Sequence, residues 1–131
     1  MKITTSCSGR FHIFDQARQL HRLDVLHRFI NDYPKWMTRR WGIPDDKVTS
    51  LVANGVLSRA TRWIPDSWAA GFKSDVVELA HDLFSRRLAG HLPPDSDIFI
   101  GLSSFCLQAI ERAKGYGQVT IVDHGSLHQR T

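Results

Sequence analysis

Residues 97–128 read Asp-Ile-Phe-Ile-Gly-Leu-Ser-Ser-Phe-Cys-Leu-Gln-Ala-Ile-Glu-Arg-Ala-Lys-Gly-Tyr-Gly-Gln-Val-Thr-Ile-Val-Asp-His-Gly-Ser-Leu-His. An apolar run of strand length is followed by a helical pattern and then by a second apolar run, the signature of a β-α-β unit with a parallel crossover. Ser103 and Ser104 stand where a helix N-cap would stand. Phe105, Leu107, Ala109, Ile110 and Ala113 form the expected buried face, and Gly115 and Gly117 end the helix. Both apolar runs are continuous rather than alternating, which predicts central strands covered on both sides. Asp123, His124, Gly125, Ser126 and His128 follow directly on the second run. In an open parallel sheet that is where ligands bind, beyond the carboxyl ends of the strands.

The chain has 131 residues, enough for one domain. No apolar segment approaches the ~20 residues that cross a bilayer. The first 20 residues contain Arg10, His12, Asp15 and Arg18, so no signal peptide is expected there. Two cysteines, Cys7 and Cys106, make no disulfide framework, and a reducing cytoplasmic location is the expectation. Lys and Arg exceed Asp and Glu by 17 − 13 = 4. That surplus suits anionic membrane surfaces, nucleotides or no special partner. No dense basic block is present, so no nucleic-acid partner is expected.

From the start of the chain, residues 2–7 form a strand candidate with Ile3, Thr4 and Thr5. Phe11, Phe14, Ala17 and Leu20 recur every three residues and mark a helix face. Between them, Gly9 lets backbone come close to a ligand, although the G-x-G-x-x-G fingerprint is absent. Residues 25–30 read as a second strand, ended by Asn31-Asp32-Tyr33-Pro34. A short helical piece then carries Trp36, Met37 and Trp41, with Arg39 and Arg40 between the aromatics. This cluster either docks at a membrane interface or buries its Trp rings beneath solvated arginines. Residues 47–52 suit a third strand, and Val56, Leu57, Ala60, Trp63 and Ile64 a short helix. A longer helix starts near Lys73, places Phe72, Val76, Leu79, Ala80, Leu83 and Phe84 on one side, and stops at Gly90. Its Asp75, Glu78, Asp82 and Arg86 make a solvated face.

The order β-α-β-α-β-α-α-β-α-β with right-handed crossovers gives an α/β fold, a doubly wound, Rossmann-like parallel sheet in the order 3-2-1-4-5. Its switch point lies between strands one and four. Cys7 and Gly9 then approach Ser103 and Ser104, and Cys7 and Cys106 become neighbours as reduced, small hydrophobes.

Four segments carry a resemblance: Phe72 to Ala80, Asp97 to Leu107, Ala113-Lys-Gly-Tyr-Gly, and Val122-Asp-His-Gly-Ser-Leu-His. Together with Ser8-Gly-Arg-Phe-His and Tyr33-Pro they resemble the amino-terminal half of a bacterial glycosyltransferase of family 4. The resemblance covers nearly the whole chain, and Gly-Ser-Leu-His is its sharpest part. It implies the GT-B architecture of two facing Rossmann-like domains, of which residues 1–131 are the acceptor-side one. The donor-binding carboxyl-terminal domain that the resemblance implies is expected to be missing from residues 1–131. Relatives often carry Glu-Arg where this chain has Asp123-His124, and others a histidine that faces the transferred sugar.

The resemblance implies metal-independent, retaining transfer from a nucleotide sugar to a glycan or lipid-linked acceptor, as in polysaccharide biosynthesis. No cofactor is implied, a peripheral membrane contact is compatible, and the half alone is expected to be inactive. His124, Asp123 and His128 are the catalytic candidates. Gly9, Arg10, His12, Ser103, Ser104, Gly125 and Ser126 are the acceptor-side candidates. Two other classes compete: a non-catalytic Rossmann-like binding module, and a nucleotide or phosphate binder using the helix N-terminus at Ser103–Ser104. His124 and His128 are four apart, but on a strand and loop they fall short of a zinc set, so no metal is expected.

Overall fold

A computed structural model describes residues 1–8, 12–65, 67, 71–102 and 106–123, except for the side chains of Ser58 and Arg62. The elements are β1 (Ile3–Cys7), α1 (Ile13–Arg22), β2 (Leu26–Asn31), α2 (Lys35–Arg40), β3 (Val48–Ser50), α3 (Val52–Ala60), α4 (Phe72–His91), β4 (Ile98–Leu102), α5 (Leu107–Gly115) and β5 (Val119–Asp123). Single 3-10 turns at Asp45–Lys47 and Thr61–Trp63 precede β3 and follow α3. The five strands form one sheet in the order β3-β2-β1-β4-β5, with every pairing parallel. This is the expected doubly wound, Rossmann-like α/β fold, with helices on both faces.

The central strand β1 is fully buried although it reads Ile-Thr-Thr-Ser-Cys. Burying hydroxyls is costly unless they are bonded. Here Thr4 Oγ1 shares a hydrogen bond with Ser96 Oγ, and Thr5 Oγ1 donates to Gln16 Oε1 of α1 at 3.3 Å. On one face of the sheet, Ile13, Phe14 and Ala17 of α1 pack on Cys7, Leu26, Phe29 and Leu102. On the other, Phe84, Leu88, Ala109 and Ala113 of α4 and α5 pack on Ile30 and Phe99. Leu26 and Phe29 face the same side although they are three residues apart. A register shift between Ile3 and Thr4 inserts one extra residue into β2 there. Cys7 and Cys106 belong to these two different cores, so they lie on opposite faces rather than as neighbours. Both are free. Burial raises the Cys7 thiol well above its ordinary value, with the Asp32 charge adding, and burial alone pushes Cys106 up to about 11.

Several boundaries differ from the sequence expectations. The third strand is only Val48–Ser50, because α3 begins at Val52. α4 runs through Gly90 to His91. It buries Ala80, Phe84, Ser85, Leu88 and Ala89, whereas Phe72, Leu79 and Leu83 of the expected face are exposed. Only its second half lies on the sheet core. Its acid-base face does form an ion pair, Arg86 Nε to Asp82 Oδ2 at 2.9 Å.

α5 starts after Cys106, which makes no side-chain cap bond. Its first-turn N–H of Gln108 is instead satisfied by Ser85 Oγ of α4 at 3.3 Å. Ser103 and Ser104 lie outside the described residues. Leu107 is exposed rather than buried, while Ala109 and Ala113 form the buried face. The helix closes as expected at Gly115, and Gly117 takes φ +79° while Gln118 N–H bonds back to Ala113 O at 3.0 Å. The largest departure is β5. It is an edge strand, with Val119, Ile121 and Val122 exposed, not a covered central one.

Trp41 and Trp36 divide the two readings of the aromatic-basic segment. Trp41 packs edge-on against Phe14 at 5.8 Å, with the Arg18 guanidinium 5.7 Å from its ring centre. Trp36 of α2 is 52% exposed, beside exposed Lys35, Arg39 and Arg40.

Candidate functional site at the carboxyl edge of the sheet

All five strands run in one direction, so their carboxyl ends share one edge, and the chain leaves β1 and β4 toward opposite sides there. His12 begins α1, after the β1 loop, and Asp123 ends β5. The two are 111 positions apart, yet His12 Nε2 and Asp123 Oδ2 stand 2.7 Å from one another. β4 lies between β1 and β5, so this bond reaches across the end of β4 and over the switch point. The histidine side chain is about half exposed and the carboxylate a quarter exposed. The pair is therefore open to a ligand. When Asp123 accepts from Nε2–H, the other ring nitrogen, Nδ1, presents its lone pair. A carboxylate that fixes an imidazole tautomer in this way leaves a nitrogen suited to accept a hydroxyl proton.

A second polar group occupies the ends of β1 and β2. Ser8 Oγ donates to Asp32 Oδ2 at 2.9 Å, and both residues are buried. Asn31 Oδ1 accepts from Tyr33 N–H at 2.8 Å, while its buried Nδ2 has no hydrogen-bond partner. Leu51 N–H donates to Asn31 O at 2.7 Å, and Ser50 Oγ to Tyr33 O at 2.8 Å. The Arg59 guanidinium covers the Tyr33 ring at 4.2 Å. These contacts bind the ends of β2 and β3 to α3 and hold that part of the edge rigid.

Of the sequence candidates, His12 and Asp123 are brought together. Gly9, Arg10, Ser103, Ser104, His124, Gly125, Ser126 and His128 lie outside the described residues. Sequence reasoning treated Asn31 and Asp32 only as a turn. Polar residues directly ending a strand of a parallel sheet are the signal that marked Asp123, and it applied equally to them.

Two adjoining grooves, of about 560 and 260 Å³, share Glu78 and His81. They follow the first half of α4 to Leu107 at the start of α5. Burial lowers the His81 pKa, with Glu78 opposing. Another groove of about 640 Å³, lined by Arg86, Gln108, Arg112 and Tyr116, lies between α4 and α5 toward their carboxyl ends, away from the His12–Asp123 pair. Because helices of a parallel sheet run against the strands, it opens at the edge where such sheets do not bind ligands, so we place the site at the pair. Among the described residues no group of three or more His, Cys, Asp or Glu side chains could hold a metal ion, and no helix is long and apolar enough to cross a membrane. Compared with known protein families, curated proteins and solved structures, the chain matches none.

Proposed function

We propose that this chain is the acceptor-side half of a glycosyltransferase, moving a sugar from a nucleotide sugar to a glycan or lipid-linked acceptor when completed by a donor-binding domain. The observation that carries the reading is the His12–Asp123 pair at the carboxyl edge of the sheet. Asp123 orients the ring and His12 Nδ1 binds a hydroxyl of the acceptor. As the acceptor oxygen forms the new bond to the sugar carbon, that nitrogen takes up the proton. The bond from the sugar to the nucleotide phosphate breaks, and its electrons leave with the phosphate. The family resemblance implies retention, which requires the acceptor oxygen to reach the sugar carbon on the face from which the phosphate leaves, since base-assisted attack from the opposite face inverts it. Ser8, Asn31 and Asp32 are further polar groups on the same edge, at the ends of β1 and β2.

The test is magnetic resonance on the full chain, reading the His12 imidazole while oligosaccharides, lipid-linked sugar analogues and nucleotide sugars are added. Glycan-type ligands are expected to shift it, and His12→Ala to weaken their binding up to about tenfold, the worth of one neutral hydrogen bond. Nucleotides that shift His12 while no glycan does would favour the nucleotide-binding alternative.

The exposed Trp36 beside Lys35, Arg39 and Arg40 supports a peripheral membrane contact through α2. The chain should sediment with vesicles containing phosphatidylglycerol, and Trp36→Ala should lower the bound fraction. Equal binding to pure phosphatidylcholine would exclude an electrostatic contact.

A further inference from the structure

The two edges of the sheet are built differently. β3, at one edge, has three residues, a buried Val48, and Asp45, Asp46 and Lys47 immediately before it. A short, charged edge is a poor template for another strand. β5, at the other edge, reads Val-Thr-Ile-Val-Asp, with no charge, proline or bulge before its last residue. Val119 is 61% exposed, Ile121 45% and Val122 44%. Its main chain is patterned as well. Val119 N–H bonds to Asp97 O at 3.0 Å, so residues 119, 121 and 123 turn their backbone groups toward β4. The N–H and C=O of Thr120 and Val122 point outward.

The side chains follow the same alternation. Phe99 faces α4 and α5 and Leu102 faces α1, so Ile98 and Ile100 stand on the α1 side. Their register partners Val119 and Ile121 stand there too. α1 packs over β1 and β2, and among the described residues no helix packs on that face of β5.

We propose that β5 pairs with β5 of a second copy of this chain, antiparallel about a two-fold axis through Ile121. This register overlaps all five residues. It sets Thr120 opposite Val122 of the mate, where the outward groups exchange two hydrogen bonds, and the symmetric pair exchanges two more. Ile121 meets its own mate as a non-hydrogen-bonded pair. Because the axis is perpendicular to the sheet, the bare face continues across the junction, and Val119 and Ile121 of both copies form one apolar ladder. Asp123 falls opposite Val119, so the two carboxylates stay apart, whereas a parallel pairing would set them side by side. A five-residue strand pair buries less than the ~1,200 Å² of a stable interface, so the association is reversible.

Sedimentation of the full chain over a concentration series should show the mass rising from 14.9 kDa toward twice that value. Ile121→Lys, at an exposed position, should keep the mass at one chain with an unchanged melting temperature. Register is tested by single cysteines. Under mild oxidation Ile121→Cys should cross-link to a dimer, because residues facing across a non-hydrogen-bonded pair have Cα atoms ~4.5 Å apart, within disulfide reach. Val119→Cys, ~13 Å from its own mate at ~3.4 Å per residue, should not. Cys7 and Cys106 are buried and serve as the background. A mass that stays at one chain, growth into open aggregates, an Ile121→Lys variant that still associates, or equal cross-linking at 119 and 121 would each overturn the proposal.

Discussion

A methyl group added at Gly55 would overlap the backbone carbonyl oxygen of Asp32 and come within 2.8 Å of Arg59 Nη1. Gly55 lies in α3, where exchanging glycine for alanine ordinarily gains up to ~1 kcal/mol. Here the obstacle is main chain and cannot swing aside, so the overlap costs ~1–3 kcal/mol and decides the sign. Gly90 is the contrast, since it lies inside α4 with nothing within 4 Å of an added Cβ. Gly55→Ala should lower the urea midpoint and Gly90→Ala should raise it. A stabilised Gly55→Ala would mean that β2 and α3 do not meet as closely as described. Gly90 also shows why single glycines mislead. As a residue type it reads as a helix stop, but α4 continues past it because Leu88, Ala89 and Leu92 on either side are held in the core. His12 and Asp123 were each legible as carboxyl-edge residues, but their bond was not. It depends on β4 lying between their two elements, which is a property of the sheet rather than of either residue.

At the scale of elements, Asp95 clasps the amino ends of three segments. Its Oδ1 accepts from His27 Nε2 of β2 at 3.0 Å, and its Oδ2 pairs with Lys2 Nζ, just before β1, at 3.1 Å. Those hydrogen bonds, His27 first and Lys2 second, lower the Asp95 carboxyl from 3.8 to about 2. A carboxyl whose folded value is depressed binds its proton more readily in the unfolded chain. Its stabilising contribution is therefore complete above the ordinary value and disappears as pH falls through about 2. The site is exposed, so the contribution is screened and modest. Asp95→Asn should flatten the melting-temperature profile between about pH 4 and pH 2 and leave its shape near neutrality unchanged. An acid limb identical to that of the wild type would show that the clasp does not operate. Apolar and β-branched runs identified every strand, and apolar recurrence all but the 3-10 turns among the helical pieces. They failed at β5 for a physical reason: a continuous β-branched run describes how a strand could pack, not whether neighbouring elements cover it. They failed at α4 similarly, since its apolar spacing spans the whole helix while the sheet supports only the second half.

For the whole molecule, the order of elements alone led to the 3-2-1-4-5 sheet, because right-handed crossovers leave few alternatives once five strands and their helices are placed. The same order fixes which edge can bind a ligand, and the grooves along the first half of α4 flank that edge. Leu107, which lines one of these grooves, is exposed, whereas the exposed Phe72, Leu79 and Leu83 of α4 line neither. Scattered exposed leucines are ordinary, and an apolar side chain in a groove beside a binding edge is where a covering domain could dock. If a donor-binding domain closes over the carboxyl edge, Leu107 and the groove beside it are what it meets. The chain by itself should then turn over no nucleotide sugar. A donor-binding domain added in trans should restore transfer, and Leu107→Glu should lower that restored rate about tenfold through weaker docking. Because Leu107 projects into solvent in this chain, its melting temperature should not change. Hydrogen exchange along residues 72–83 and at the start of α5 should slow when the two are mixed. Transfer by the chain alone would refute the division of labour, and unchanged exchange in an active mixture would place the docking surface elsewhere.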